Sequence, residues 1–125
     1  MTKYNMKIYS KTATERFNNA NFHIKYCLSF IKKYIKGNVL EIGAGCGSFT
    51  RNFMGTNIRK LTLTELDKKN ILDLKKKFKN KSNVKIVNGL IDRVENKYDT
   101  ILYLHVLEHI KNDKLEIKKA KEKLK

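Results

Sequence analysis

Residues 39–47 read Val-Leu-Glu-Ile-Gly-Ala-Gly-Cys-Gly, and this run constrains the chain more than any other segment. A short apolar stretch ends at three alternating glycines, Gly43, Gly45 and Gly47, after which Ser48 and Phe49 open a helical pattern. Glycine stands where backbone must turn sharply or let a ligand approach closely. A helix start adds N–H donors with no partner inside the helix. A strand–loop–helix unit of this kind is expected to bind a nucleoside-type ligand at the carboxyl end of a first parallel strand.

The flanking pattern supports an alternating α/β chain. Residues 1–14 show no hydrophobic period and are expected to form a loose leader, leaving 15–125 as a single domain. From Glu15, Phe17, Ile24, Cys27, Leu28, Ile31, Tyr34 and Ile35 follow helical spacing, and Gly37 sits where a helix stop is expected. Strands are expected at 39–42, 61–65, 84–87 and 99–104. A short helix is expected at 48–54, closed by Gly55. A second, capped by Asp67, should run to about Lys79 with Ile71, Leu74 and Phe78 facing inward. Residues 106–110 should begin a last helix, continued from a cap at Asp113 with Ile117, Ala120 and Leu124 at helical spacing. The fourth strand is a nearly continuous apolar run, as in buried parallel strands. The order reads as a doubly wound α/β sheet.

Composition narrows the classes. The 125 residues are 41% hydrophobic, enough for one packed core. No apolar run reaches membrane-span length and no signal-peptide pattern opens the chain, so a cytoplasmic protein without a membrane partner is expected. Cys27 and Cys46, the only cysteines, lack metal or disulfide spacing and read as free thiols. The net charge of +16 is carried almost wholly by Lys, with Arg only at 16, 51, 59 and 93. Arg is the side chain suited to bidentate phosphate and base recognition, so charge alone does not make nucleic acid the expected target. The Lys-rich stretch 68–81 reads as the solvated side of an amphipathic helix.

Two carboxylates sharpen the glycine loop. Glu41 lies inside the first strand, where burial costs several kcal/mol unless the group is hydrogen-bonded. Loop N–H groups and a ligand ammonium could satisfy it. Glu65 ends the second strand about twenty residues beyond the loop, where an acidic side chain accepts ribose hydroxyls. A P-loop would need Gly-Lys-Ser/Thr, and this loop has no Lys. The dinucleotide fingerprint Gly-x-Gly-x-x-Gly would need its third glycine one residue later. A cofactor without a pyrophosphate fits better.

The strings VLEIGAGCGSFT, LTLTELD and YDTILYLHVLEHI together resemble the class I S-adenosylmethionine-dependent methyltransferases, closest to small bacterial members with Leu-Glu-His-Ile after strand four. The resemblance runs from about Phe22 to the C-terminus. It implies a Rossmann-like, mostly parallel sheet. It implies S-adenosylmethionine as cofactor and methyl transfer to a small-molecule acceptor. Glu41, Gly43, Ala44, Gly45 and Gly47 would cradle the methionine end of the cofactor. Glu65 would hold the ribose, and Leu66 would pack on the adenine face. The loop after Gly89 would border the adenine edge through Leu90, where many relatives carry Asp, with Asp92 or backbone groups substituting. Leu104 and His105 would line the methyl-donor side.

His109 and His105 are the candidate catalytic residues, with Glu108 beside them at i, i+3, i+4 spacing if a helix begins by His105. A related Glu-x-x-Glu-His arrangement binds a divalent metal in small-RNA 2′-O-methyltransferases. Here His replaces the first ligand, and no metal is expected; Glu108 and His109 are read as buttressing the helix start. The Asn/Asp-Pro-Pro-Tyr/Phe motif of nucleobase N-methyltransferases is missing from this proline-free chain, which argues against base methylation. The family sheet has seven strands, whereas only four can be found here, in expected order 3-2-1-4. The domain therefore reads as C-terminally truncated, with self-association or a partner chain expected at the strand-four edge. Two other readings stand beside the enzyme: a non-catalytic S-adenosylmethionine-binding or interaction module, and an RNA methyltransferase.

Overall fold

The computed structural model describes residues 13–125, with side chains from residue 20 onward. The leader expected at 1–14 and the inward role expected of Phe17 thus lie essentially outside the described residues. Four parallel strands form one sheet in the order β3-β2-β1-β4: β1 Gly37–Ile42, β2 Ile58–Glu65, β3 Val84–Asn88 and β4 Thr100–Tyr103. This is the expected order. Every strand runs the same way, so each connection crosses a face of the sheet.

Helices α1 (Ala13–Ile31), α2 (Ser48–Phe53) and α3 (Lys68–Lys77) cover one face, and α4 (Asp113–Glu122) lies on the other. On the first face Val39, Leu61, Leu63 and Leu102 pack with Leu28, Ile35, Phe53, Leu74 and Phe78. On the second, Leu40 and Ile42 pack with Ile91, Val94 and Tyr98. β1 is therefore dry on both sides, and each fully buried Leu or Ile contributes roughly 1.5–3 kcal/mol.

Helix α3 follows its sequence pattern closely. Asp67 accepts a hydrogen bond from the Asn70 amide at 2.9 Å, Ile71, Leu74 and Phe78 are buried, and its lysines are exposed. The expectations at the two outer helices need correction. α1 ends at Ile31 rather than running to Gly37. A 3-10 turn, Lys32–Tyr34, closes it, held by the Ile35 amide on the Lys32 carbonyl. That turn buries Ile35 and frees Gly37 to begin β1 beside Ile58. Tyr34, expected on the apolar face, is 62% exposed.

Near the C-terminus, the expected helix from residue 106 is only a 3-10 turn, Leu107–His109. α4 starts separately, capped by Asn112, whose side chain accepts from the Leu115 amide at 3.1 Å; Asp113 is its first helical residue. Its buried face carries Glu116 and Ala120, whereas Ile117 and Leu124 are exposed. Glu116 can be buried because the Tyr103 hydroxyl donates to it at 2.8 Å. β4 pairs with β1 alone among the named strands. Beyond its entry, Leu124 bridges Tyr98 in parallel, with the Tyr98 amide bonded to the Lys123 carbonyl and the Lys125 amide to the Tyr98 carbonyl.

Candidate functional site

The order 3-2-1-4 reverses direction between β1 and β4. Chains of this topology leave a crevice outside the carboxyl ends of the strands at that reversal. The glycine loop sits there. Gly43, Gly45 and Gly47 all adopt left-handed backbone, with φ of 69°, 60° and 87°. A Cβ on Gly43 would lie 2.7 Å from Val106 Cγ2, in the segment after β4. The loop and that segment can close together only because Gly43 has no side chain. A Cβ on Gly45 would meet nothing within 4 Å, so this glycine opens onto free space.

The loop is tied to the end of β2. The Gly43 amide donates to Thr64 Oγ1 at 3.3 Å, the Ala44 amide to the Thr64 carbonyl at 2.9 Å and the Gly45 amide to Glu65 Oε2 at 2.6 Å. The other oxygen of Glu65 accepts from the Leu66 and Asp67 amides at 2.8 and 3.0 Å. A carboxylate offers about four acceptor positions. Three are taken, and one remains on Oε2. From α3, Lys77 Nζ donates to the Cys46 carbonyl at 2.5 Å.

Glu41 is 2% exposed, on the face of β1 that carries α2. The expectation that loop amides would satisfy it is corrected by the structure. Those amides are engaged by Thr64 and Glu65, and Thr50 of α2 donates its hydroxyl to Glu41 Oε2 at 2.5 Å. Burial pushes the Glu41 carboxyl up to about 7, and the Thr50 hydrogen bond opposes that rise. A carboxyl balanced near neutrality thus lies directly beneath the glycine loop.

The other sequence candidates distribute around this centre. Leu66 is 59% exposed immediately after Glu65. The Gly89 amide bonds to the Glu65 carbonyl, bringing the post-β3 loop to the same rim, with Leu90 half-buried. Asp92 turns the other way, its carboxylate 3.1 Å from Lys119 Nζ on α4. Leu104 packs at the margin of the first core. His105 is the one non-glycine residue with positive φ, 57°, among the described residues. Its ring lies 5.3 Å from that of Phe49 and 5.4 Å from that of His23. No regular helix starts at His105, yet Glu108 still lies between the two histidines, 3.8 Å from His105 Nδ1 and 4.0 Å from His109 Nε2.

Thr50, Thr64, Lys77 and Val106 escaped the sequence reading. Thr50 was the most accessible, since a strand carboxylate requires a nearby donor and the helix that follows presents a hydroxyl.

Residues 40–125 match the family model described as a methyltransferase domain. No curated protein sequence matches the chain. Among solved structures, it is similar to a methyltransferase from Pyrococcus furiosus, at 26% identity and a TM-score of 0.64, over 82% of this chain and 58% of that one. It is also similar to coclaurine N-methyltransferase bound to N-methylheliamine and SAH, at 24% identity and a TM-score of 0.69, over 85% and 33%. A third is the glycopeptide N-methyltransferase MtfA complexed with sinefungin, at 18% identity and a TM-score of 0.67, over 82% and 45%. The chain spans about half the length of the solved structures it matches.

Proposed function

This chain belongs to the methyltransferase-domain family, and from that premise we propose that it binds S-adenosylmethionine at the glycine loop and directs methyl transfer to a small-molecule acceptor. The observation that carries the reading is the joining of Gly45 to Glu65. One hydrogen bond links a left-handed glycine that faces open space to a carboxylate with an acceptor position to spare. A methionine-type tail needs the first, and a ribose diol needs the second. The residues present fit such a cofactor. Gly43, Ala44, Gly45 and Gly47 would carry its amino-acid end above Glu41. Glu65 would take one ribose hydroxyl on its spare position and a second in exchange for a loop amide. The exposed Leu66 would cover one face of the adenine, while Leu90 and the backbone beside it would border its edge; Asp92, paired with Lys119, would not. Leu104 and His105 would line the side where the methyl group is presented. The fold relationship to enzymes crystallised with SAH and sinefungin supports this cofactor.

Bound there, the cofactor supplies an electrophilic sulfonium methyl. The chain's own contribution is mainly positional, because holding the acceptor in line converts a bimolecular step into an intramolecular one. Ionised Glu41 would attract the ammonium of the cofactor's amino-acid end. His109, exposed beside Glu108, would accept a proton from an acceptor hydroxyl or amine.

Calorimetric titration of the full chain with S-adenosylmethionine tests the reading. One equivalent of heat and a rise in melting temperature are expected; the absence of both would overturn the reading. Transfer of a labelled methyl group to the low-molecular-weight fraction of a cell extract tests the acceptor class. Label appearing in RNA instead would replace that class.

A further inference from the structure

Two side chains outside the proposed cofactor site, and one at its margin, converge on one point. His23 and Cys27 stand one helical turn apart on α1, and His105 reaches them from the segment after β4. His23 Nε2 lies 3.3 Å from His105 Nε2 and 3.6 Å from Cys27 Sγ, and all three donor atoms fall within 4.8 Å of one another. We propose that His23, Cys27 and His105 form a site for a borderline-soft divalent cation of the Zn²⁺ type, with a fourth position open to solvent.

The spacing favours this over a chance contact. With Zn–N near 2.0–2.1 Å and Zn–S near 2.3 Å, a tetrahedral ion separates two nitrogens by about 3.3 Å and a nitrogen from a sulfur by about 3.5 Å. Two of the three edges already have those lengths, and the Cys27–His105 edge is no longer than 4.8 Å. One imidazole proton can bridge the two Nε2 atoms, but it leaves the thiol pointed at a nitrogen with little to offer. A cation satisfies all three.

His105 meets the other two ligands from left-handed backbone, a conformation unfavourable to a non-glycine residue. Glu108 lies 3.8 Å from its Nδ1, on the side that favours a proton there and leaves the Nε2 lone pair free to bind metal. His23 and His105 are exposed and Cys27 half-buried, which leaves an entry path. Two soft or borderline nitrogens and one thiolate select Zn²⁺ or Co²⁺ over Mg²⁺ or Ca²⁺.

Such an ion would pin α1 to the segment after β4, beside the loop crevice. With His105 ligated, proton transfer would fall to His109. The inference stands on these three residues and does not depend on cofactor binding.

Titration of the metal-free full chain with Co²⁺ tests it by absorbance. One equivalent should produce the d–d bands of tetrahedral cobalt together with a thiolate-to-cobalt charge-transfer band, and Zn²⁺ should bleach both. Cys27→Ser should abolish the charge-transfer band, while Cys46→Ser, which removes the other thiol, should leave it intact. His23→Ala and His105→Ala should each weaken Co²⁺ binding by more than about tenfold, with far-ultraviolet dichroism confirming that each variant is folded. Absence of the charge-transfer band, or a band unchanged in Cys27→Ser and His105→Ala, would overturn the proposal.

Discussion

Replacing Glu41 with Gln isolates the cost of placing a charge under the glycine loop. The fold raises this carboxyl from about 4.5 to about 7, and desolvation is the dominant cause. Between those two values the native state holds a proton that the unfolded chain has released. Stability therefore falls as pH rises through that window. At about 1.4 kcal/mol per pH unit the full loss is about 3 kcal/mol, most of it between pH 5 and pH 8. Gln keeps the shape and a partner for Thr50 but cannot ionise. The stability of Glu41→Gln relative to wild type should accordingly rise by roughly 2.5 kcal/mol from pH 5 to pH 8. Urea denaturation followed by circular dichroism at several pH values measures this. Taking the difference between the two proteins cancels the titration of every other group. A difference constant with pH would refute the argument, because it would mean that Glu41 titrates alike in the folded and unfolded chains.

Three further outcomes follow from the same geometry. Gly43→Ala should lower thermal stability by about 2 kcal/mol or more, since left-handed strain adds to a Cβ 2.7 Å from Val106. Gly45→Ala should cost only about 1–2 kcal/mol, because its Cβ enters open space, yet calorimetry should show S-adenosylmethionine affinity reduced by more than about tenfold. Unchanged affinity there would remove that space from the site. Glu65→Ala leaves the Gly45, Leu66 and Asp67 amides without their shared acceptor and should cost about 1–3 kcal/mol by urea denaturation, along with most of the cofactor affinity.

What could be read from the sequence was what local chemistry dictates. Three alternating glycines after a short apolar run place a turn whatever surrounds it. The four apolar runs, separated by helices or long crossovers, order a parallel sheet. In α3, Asp67 and the spacing of Ile71, Leu74 and Phe78 agree with one another, and the structure follows them. In α4 the same logic failed. Apolar residues are few among its lysines, and the buried face was decided by Tyr103, ten residues upstream of α4, which made room for Glu116. The short turn at 107–109 has a related cause. Ile110 takes extended backbone, with φ of −90° and ψ of 121°, which ends the turn before a helix can propagate. Within the candidate site, Glu41 and Glu65 could be singled out by type and spacing. Their partners, Thr50 and the loop amides, are set by which helix lands on which strand. The convergence of His23 and Cys27 with His105, 82 residues from His23, has no sequence signature at all.

The central claim is that the loop from Gly43 to Gly47 receives S-adenosylmethionine. Titration of ¹⁵N-labelled full chain with this cofactor, followed by amide resonances, tests it most directly. The account predicts saturable shifts at Gly43, Gly45, Gly47 and Leu66 with one common dissociation constant, while amides at the far end of the sheet, such as Arg59 and Ser82, stay in place. Saturable binding that leaves the three glycine amides unmoved, or no binding at all, would contradict it.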